Sequence, residues 1–465
     1  MTFLLCVYVT ISIYVKELVL FKIEYIAGDL FKKGITAALT KEFFKFVIPS
    51  MIAFAFSGVY SIVDGWFVGN YLNETGLAAI NVAYPITAFI LATGTAIGMG
   101  GAIFISISEG KQEFEKQKEY LGMTFLLLFI FGIIEMILIY FTYSEILGFF
   151  GASGELLTYG EEYVKWIVLG TLFQMIGTGL VPIVRNYDGA TVAMVSMIIG
   201  FLVNVVLDWL FIAVFGLGLP GAALATVLGQ GCAIIPSLAF IIKKKKLFGY
   251  IKLPREFKTV REILAVAVSP FGLTYASSVI LIIVNKNAIA YGGAAAAACY
   301  AVISYVTYII QMLIQGVGDG SQPLISRYYG ADDMKAVKKL RNMAFMTSEI
   351  LSIVSAAICI LGSRMIAEFF GMGKDGLGDV AAAMPYFAIG FLFIAIERVT
   401  TSIFYAMDEN KYAYILIYGE LILMGILATF VLSPIMGVTG VWMSVTVAQA
   451  VLAVLSVIIL KRAMK

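Results

Sequence analysis

Long apolar runs separated by short polar gaps make up almost the whole chain. A helix needs about 20 apolar residues to cross a bilayer core. Twelve runs of that kind lie near 43–69, 76–106, 120–143, 159–184, 190–215, 219–242, 262–290, 294–326, 342–361, 379–406, 412–432 and 438–460. The pattern predicts an all-α integral membrane protein with twelve transmembrane helices, spans 1 to 12, and leaves too little sequence for a soluble domain. Residues 1–40 stand apart. Met1–Val15 is apolar but short, and Lys16, Glu17, Lys22 and Glu24 follow it. The segment reads as an interfacial or poorly ordered extension, with a thirteenth span or an uncleaved signal-like segment as alternatives.

The runs repeat with an offset of about 220 residues. Gly98, Gly100, Ile105, Ser106 and Gly110 match Gly318, Gly320, Ile325, Ser326 and Gly330. Ile146, Phe149, Phe150, Gly151, Gly170, Leu172 and Phe173 match Ile366, Phe369, Phe370, Gly371, Gly390, Leu392 and Phe393. Pro49 matches Pro270, and Gly218 and Gly221 match Gly437 and Gly440. Each copy holds six spans, an even number, so the copies share one orientation about an axis along the membrane normal. The expected organisation is an extension (1–40), a first lobe (41–242), a basic linker (243–261) and a second lobe (262–465), with a central cleft between the lobes. The linker carries eight basic residues and one acid. Topology setting and lipid headgroup contact account for that excess.

Composition narrows the chemistry. The chain has 465 residues, of which 61% are hydrophobic and 13% charged, with a mean hydropathy of +0.96. There is no histidine, which excludes His-ligated metals, Ser-His-Asp and Cys-His catalysis, and histidine proton relays. An enzyme is not expected. A net charge of +2 gives no global field to recruit nucleic acid. Cys6, Cys232, Cys299 and Cys359 are far apart in apolar runs and suggest neither a metal site nor a disulfide framework. Of the 32 basic residues, 27 fall on the side of the termini and linker; Lys165, Lys286, Arg364 and Lys374 fall on the other, and Arg398 within a span. Both termini are therefore expected in the cytoplasm of a cell (plasma) membrane protein. Trp66, Trp166, Trp209 and Trp442 fall near the outer ends of their spans, as an aromatic belt would. Trp66 and Trp209 also adjoin intramembrane aspartates and are candidate cleft residues.

Charges within spans are costly and are functional candidates by default. Those singled out are Asp64, Glu135, Asp208, Lys286, Glu349, Glu397, Arg398 and Glu420. Asp64, Asp208 and Thr226 come to nearly the same depth, roughly 8–10 Å below the outer surface at 1.5 Å per residue, and Asn204 lies one turn deeper on the face of Asp208. Two carboxylates, an amide oxygen and a hydroxyl supply hard oxygen ligands for a small cation, Na⁺ or H⁺. Separate hydrogen bonding as polar glue between helices is the alternative. The equivalents in the second copy are Asn285, Leu423, Leu427 and Val445, so the acids are particular to the first. Glu397 and Arg398 point about 100° apart on a helix and need not pair. Glu420 is a candidate to attract a cationic substrate. Lys286 reads as a fixed charge of the second lobe or as a side chain snorkelling to the interface.

Arg185-Asn186-Tyr187-Asp188-Gly189, Asn204 to Asp208, and Gly221 to Thr226 resemble the first lobe of the MATE (multidrug and toxic compound extrusion) family. Pro49-Ser50 with Val63-Asp64 and Phe67-Val68-Gly69 resembles its first helix, and Gln322-Pro323-Leu324-Ile325-Ser326 with Tyr329-Gly330 the end of its eighth. The resemblance runs from about residue 41 to 461 and points to the DinF-like branch of the MOP flippase superfamily. It implies two six-helix lobes, alternating access, and exchange of substrate against Na⁺ or H⁺ at Asp64, Asn204, Asp208 and Thr226. It also implies a bend of helix 1 near Pro49. Ser277 and Ser278 stand where another branch has a helix 7 carboxylate, and Gly419-Glu420 where relatives usually have Arg-Gln.

The expectation is a cation-coupled antiporter exporting amphipathic, cationic small molecules as a monomer in the bilayer, with no cofactor beyond its coupling ion. The alternative is a lipid-linked saccharide flippase of the same superfamily, against which the twelve spans and few buried bases argue. The major facilitator fold predicts a Gly-x-x-x-Asp-Arg-type loop after span 2, which Glu109 to Glu119 lacks.

Overall fold

The computed structural model describes residues 35–71, 73–245, 252 and 257–463. The extension ahead of them, with its alternative as a thirteenth span, and most of the linker lie outside the described residues. No strand occurs among the described residues. The helices are α1 (Ile35–Tyr71), α2 (Asn73–Gly110), α3 (Phe114–Phe149), α4 (Glu155–Leu169), α5 (Thr171–Asn186), α6 (Ala190–Asp208), α7 (Gly218–Lys245), α8 (Phe257–Gly330), α9 (Met334–Phe369), α10 (Lys374–Ala406), α11 (Asn410–Ile426), α12 (Leu432–Met436) and α13 (Val438–Ala463). Short π-helical turns, Trp209–Val214 and Leu427–Val431, follow α6 and α11.

Twelve crossings result. Ten helical stretches among the described residues are long and apolar enough to span a bilayer. Helices α4 and α5 form another crossing, bent by 59° at Gly170, where a Cβ would collide with the Val227 side chain of α7. The long α8 is two crossings joined at Gly293, whose φ of 65° and ψ of −159° break the helix. A φ of that sign is readily open to glycine.

The repeat is written in the backbone. Left-handed residues come in pairs about 220 apart: Gln112 with Asp332, Asp188 with Asp408, Gly151 with Gly371, and Gly218 with Gly437. The two π turns match in the same way. At the face that carries the basic loops, a Cβ on Gly110 would collide with the Arg327 carbonyl, and one on Gly330 with the Ile107 carbonyl. Residue 107 is the repeat mate of 327, and 110 of 330. A reciprocal contact of this kind is what a two-fold axis produces, and it places the pseudo-axis between the ends of α2 and α8.

Packing follows the two lobes. One core runs through the first lobe and continues into the second near the basic face, through Ile263, Val317, Leu324 and Ile403. The far half of the second lobe has its own core around Ile303, Phe387, Phe391 and Trp442. Trp442 is therefore not a belt residue. It is 5% exposed and stacks on Tyr300 with ring centroids 5.9 Å apart. Trp166 and Trp209 are exposed, as a belt requires; the side chain of Trp66 lies outside the described residues.

Candidate ion and substrate site

The first-lobe polar set is assembled by a close helix crossing. A Cβ on Gly229 of α7 would lie 2.7 Å from the Gly200 carbonyl and 2.9 Å from Asn204 Cβ of α6, so glycine lets the helices touch. That contact brings the Asn204 amide nitrogen to the Thr226 hydroxyl, 3.4 Å away. Thr226 in turn donates to the Ala222 carbonyl at 3.1 Å. Asn204 is 2% exposed and Asp208, one turn further, is fully buried. The Asn204 carbonyl oxygen has no hydrogen-bond partner among the described residues. A buried acceptor in that condition is costly and suits a ligand that brings positive charge.

Asp64 lies on α1, but its side chain is outside the described residues. One turn before it, Tyr60 stacks on Phe201 of α6 with centroids 4.9 Å apart and planes 12° apart, which fixes α1 against the helix that carries Asn204 and Asp208. Pro49 sits inside the continuous α1. Its ring leaves the Lys45 carbonyl without a helical donor, and the next hydroxyl, Ser50, donates to Phe46 O at 2.9 Å. The same stretch rests on a small-residue face of α8, where a Cβ on Gly316 would lie 2.7 Å from Met51 Cα and one on Gly320 2.8 Å from Val47 Cα.

Three of the four matching positions of the second lobe are apolar, and the polar contact beside them, Asn287 to Thr429 at 3.3 Å, carries no carboxylate. Leu423 and Leu427 pack on the lobe's core and Val445 belongs to it, while Asn285 is exposed. The π turn after Asp208 recurs after Ile426, so it belongs to the repeat rather than to the polar set.

Second-lobe charges form a different cluster. Arg398 Nε lies 3.4 Å from Glu397 Oε2, and its Nη2 lies 3.3 Å from Glu420 Oε2. Thr401 donates to Glu397 Oε1 at 3.0 Å. The 100° separation of neighbours does not keep Glu397 and Arg398 apart, because the arginine reaches sideways and bridges both acids. Glu397 and Glu420 are thus buried with a counter-ion. Lys286 is exposed, in line with snorkelling. Glu135 and Glu349 are buried within the lobes.

Sequence reasoning missed a charged group at the lobe junction. Asp319 of α8 is buried and faces Arg185 of α5, with Nη2 to Oδ2 at 3.7 Å. It accepts from Gln315 at 2.7 Å and from the Tyr405 hydroxyl. The glycines on either side of Asp319 were the available signal. An aromatic junction also went unread: Phe89 of α2 meets Phe271 and Tyr275 of α8 edge-on, at 5.5 and 5.9 Å.

The sequence profile of the MatE family matches residues 49–210 and 270–431, one stretch in each lobe and in the same register of the repeat. The multidrug export protein MepA of Staphylococcus saprophyticus subsp. saprophyticus is 24% identical over 434 residues, covering 91% of this chain and 94% of that protein. Among solved structures, the outward-facing conformation of a multidrug resistance MATE family transporter of the MOP superfamily aligns with a TM-score of 0.84 at 21% identity, covering 93% of this chain and 98% of the other. A MOP superfamily transporter from Pyrococcus furiosus Vc1 aligns with a TM-score of 0.84 at 22% identity, with the same coverage.

Proposed function

Because this chain belongs to the MATE family of membrane transporters, we propose that it is an antiporter that exports amphipathic, cationic small molecules by alternating access, driven by Na⁺ or H⁺. The observation that carries the reading is the first-lobe set of buried Asn204 and Asp208 with half-buried Thr226, set against leucines and a valine at the equivalent second-lobe positions. Hard oxygen donors with a carboxylate are what a small cation requires. Asp64 completes the set in this reading. An ion bound there neutralises the carboxylate charge, and α1, weakened at Pro49, responds by bending. Multidrug export by the MepA relatives supports the substrate class, and the aromatic junction at Phe89 suits a cation with an apolar body. A saccharide flippase is not favoured. In this reading the protein works as a monomer in the plasma membrane, with cytoplasmic termini, no nucleic-acid partner and no cofactor beyond the coupling ion.

The test uses the purified protein in sealed vesicles. An imposed Na⁺ or H⁺ gradient, applied separately, drives a cationic dye across the membrane. Asp208→Asn abolishes that movement while leaving thermal unfolding unchanged. Dye movement that ignores both gradients, in both proteins, refutes the coupling.

A further inference from the structure

The lobes meet at the basic face along two seams that the repeat relates to one another, and the two seams are chemically unlike. In the first, the end of α5 and the turn after it read along α8. Arg185 faces Asp319. Asn186 and Gln322 exchange amide hydrogen bonds of 3.0 and 3.1 Å. Asp188 accepts from Arg327 at 2.6 Å. The same guanidinium lies 3.5 Å from Glu42 of α1 and 3.5 Å from Glu109 of α2. One second-lobe cation thus gathers three first-lobe carboxylates.

In the other seam, Met99, Ala102 and Ile107 stand where the first has Asp319, Gln322 and Arg327. Glu262 and Asp408, the mates of Glu42 and Asp188, are retained. In place of a buried guanidinium, Ile107 lines a cavity of about 860 Å³ together with those two acids and with Lys111, Lys116, Lys252 and Lys258; Glu262 accepts from Tyr120 of the first lobe at 2.5 Å and lies 3.8 Å from Lys258. The second seam is crossed by the Tyr120–Glu262 hydrogen bond and has no counterpart of the arginine that gathers three acids, so that arginine is particular to the first seam.

We propose that the first seam is the latch that holds the lobes shut at the basic face, that Arg327 is its central residue, and that opening toward that face proceeds by releasing it. The short charge-assisted bond to Asp188 and the two further carboxylates stabilise the closed state. When the lobes part, water can take up each of these groups, so the latch is reversible in a way that a buried apolar seam is not. Gates of this kind, with packed and open arrangements, are how rigid lobes alternate. The proposal rests on the alternating-access reading above, but on neither its ion nor its substrate.

The test is cysteine accessibility in detergent-solubilised protein whose native cysteines have been replaced. Val47→Cys puts a thiol on α1 against Gly320 of α8, at a site that is fully buried in the closed state. Maleimide labelling of that thiol reports opening, without ion gradient or dye. Arg327→Ile, the change the repeat itself makes, raises the labelling rate about tenfold. Ile107→Arg, which supplies a guanidinium to Glu262 and Asp408, lowers it several-fold. The opposite signs separate a latch from general loosening. A rate within twofold of the parent for Arg327→Ile, or a rise for Ile107→Arg, overturns the proposal. Should Arg327→Ile fail to fold, Ile107→Arg decides alone: slower labelling supports the latch, and equal or faster labelling overturns it. Asp208→Asn in the gradient assay reports separately on coupling, so the two can fail independently.

Discussion

Asn204 donates its side-chain amide to the Thr226 hydroxyl across 3.4 Å, from α6 to α7. The contact leaves the carbonyl end of the same amide buried without a partner among the described residues. The second lobe has Leu423 and Val445 in the corresponding places, so the repeat supplies its own conservative substitutions. Asn204→Leu and Thr226→Val each remove one oxygen donor and keep the bulk of the side chain. Each is expected to raise the ion concentration for half-maximal dye export about tenfold, which corresponds to about 1.4 kcal/mol. Ion titrations of dye efflux from vesicles check this, and an unchanged titration in both variants would remove these residues from the ion site.

Arg398 bridges Glu397 and Glu420 inside the second lobe. Removing one member of a buried ionic cluster leaves the others without compensation, typically at a cost of about 3–5 kcal/mol. Arg398→Met therefore lowers the thermal unfolding midpoint substantially. Adding Glu420→Met removes one of the orphaned acids and recovers much of the loss, since apolar replacements of a buried pair are often near neutral. Thermal unfolding in detergent of the single and double variants gives the comparison. A double variant no more stable than Arg398→Met would show that Glu420 does not depend on this arginine.

The membrane made the crossings legible, because a bilayer imposes one length and one polarity on every span. The first-lobe set was legible only in part: depth along a span converts to residue count and matches Thr226 to Asp208, whereas the contact across the helices is made one turn deeper, by Asn204. Contacts between lobes leave no such trace. Arg185 and Asp319 are distant in sequence, and their pairing has no helical period to betray it. Helix angle left the pairing of Glu397 and Arg398 open, because a long flexible side chain reaches beyond its own Cβ direction. Trp442 looked like an interface residue because span position says nothing of which way a side chain faces; packing against Tyr300 and Phe387 turns it inward.

Trp442 and Trp209 should behave oppositely. Trp442 is 5% exposed and Trp209 52%. Truncating a buried aromatic leaves a cavity and usually costs about 3–5 kcal/mol. Trp442→Ala is expected to lower the unfolding midpoint by many degrees, whereas Trp209→Ala shifts it little. If Trp209 serves the substrate cleft rather than a belt, its replacement instead weakens binding of a fluorescent cationic dye, measured by anisotropy, at unchanged stability.

Glycine at the pseudo-axis is a matter of space. A Cβ at Gly110 or Gly330 would run into a backbone carbonyl of the other lobe, and a carbonyl cannot rotate away as a side chain can. Overpacking of this kind typically costs about 1–3 kcal/mol, and here the cost falls on the closed junction. Gly110→Ala and Gly330→Ala should each lower the unfolding midpoint. Because both disturb one reciprocal contact, the double variant should lose less than the sum of the singles. Gly362 provides the control: it lies inside α9 with nothing within 4 Å of its would-be Cβ. There alanine removes only the conformational penalty of a helical glycine, and Gly362→Ala should stabilise by about 0.5–1 kcal/mol. Additive losses at Gly110 and Gly330 would mean that the two glycines answer to separate contacts, contrary to a shared two-fold crossing.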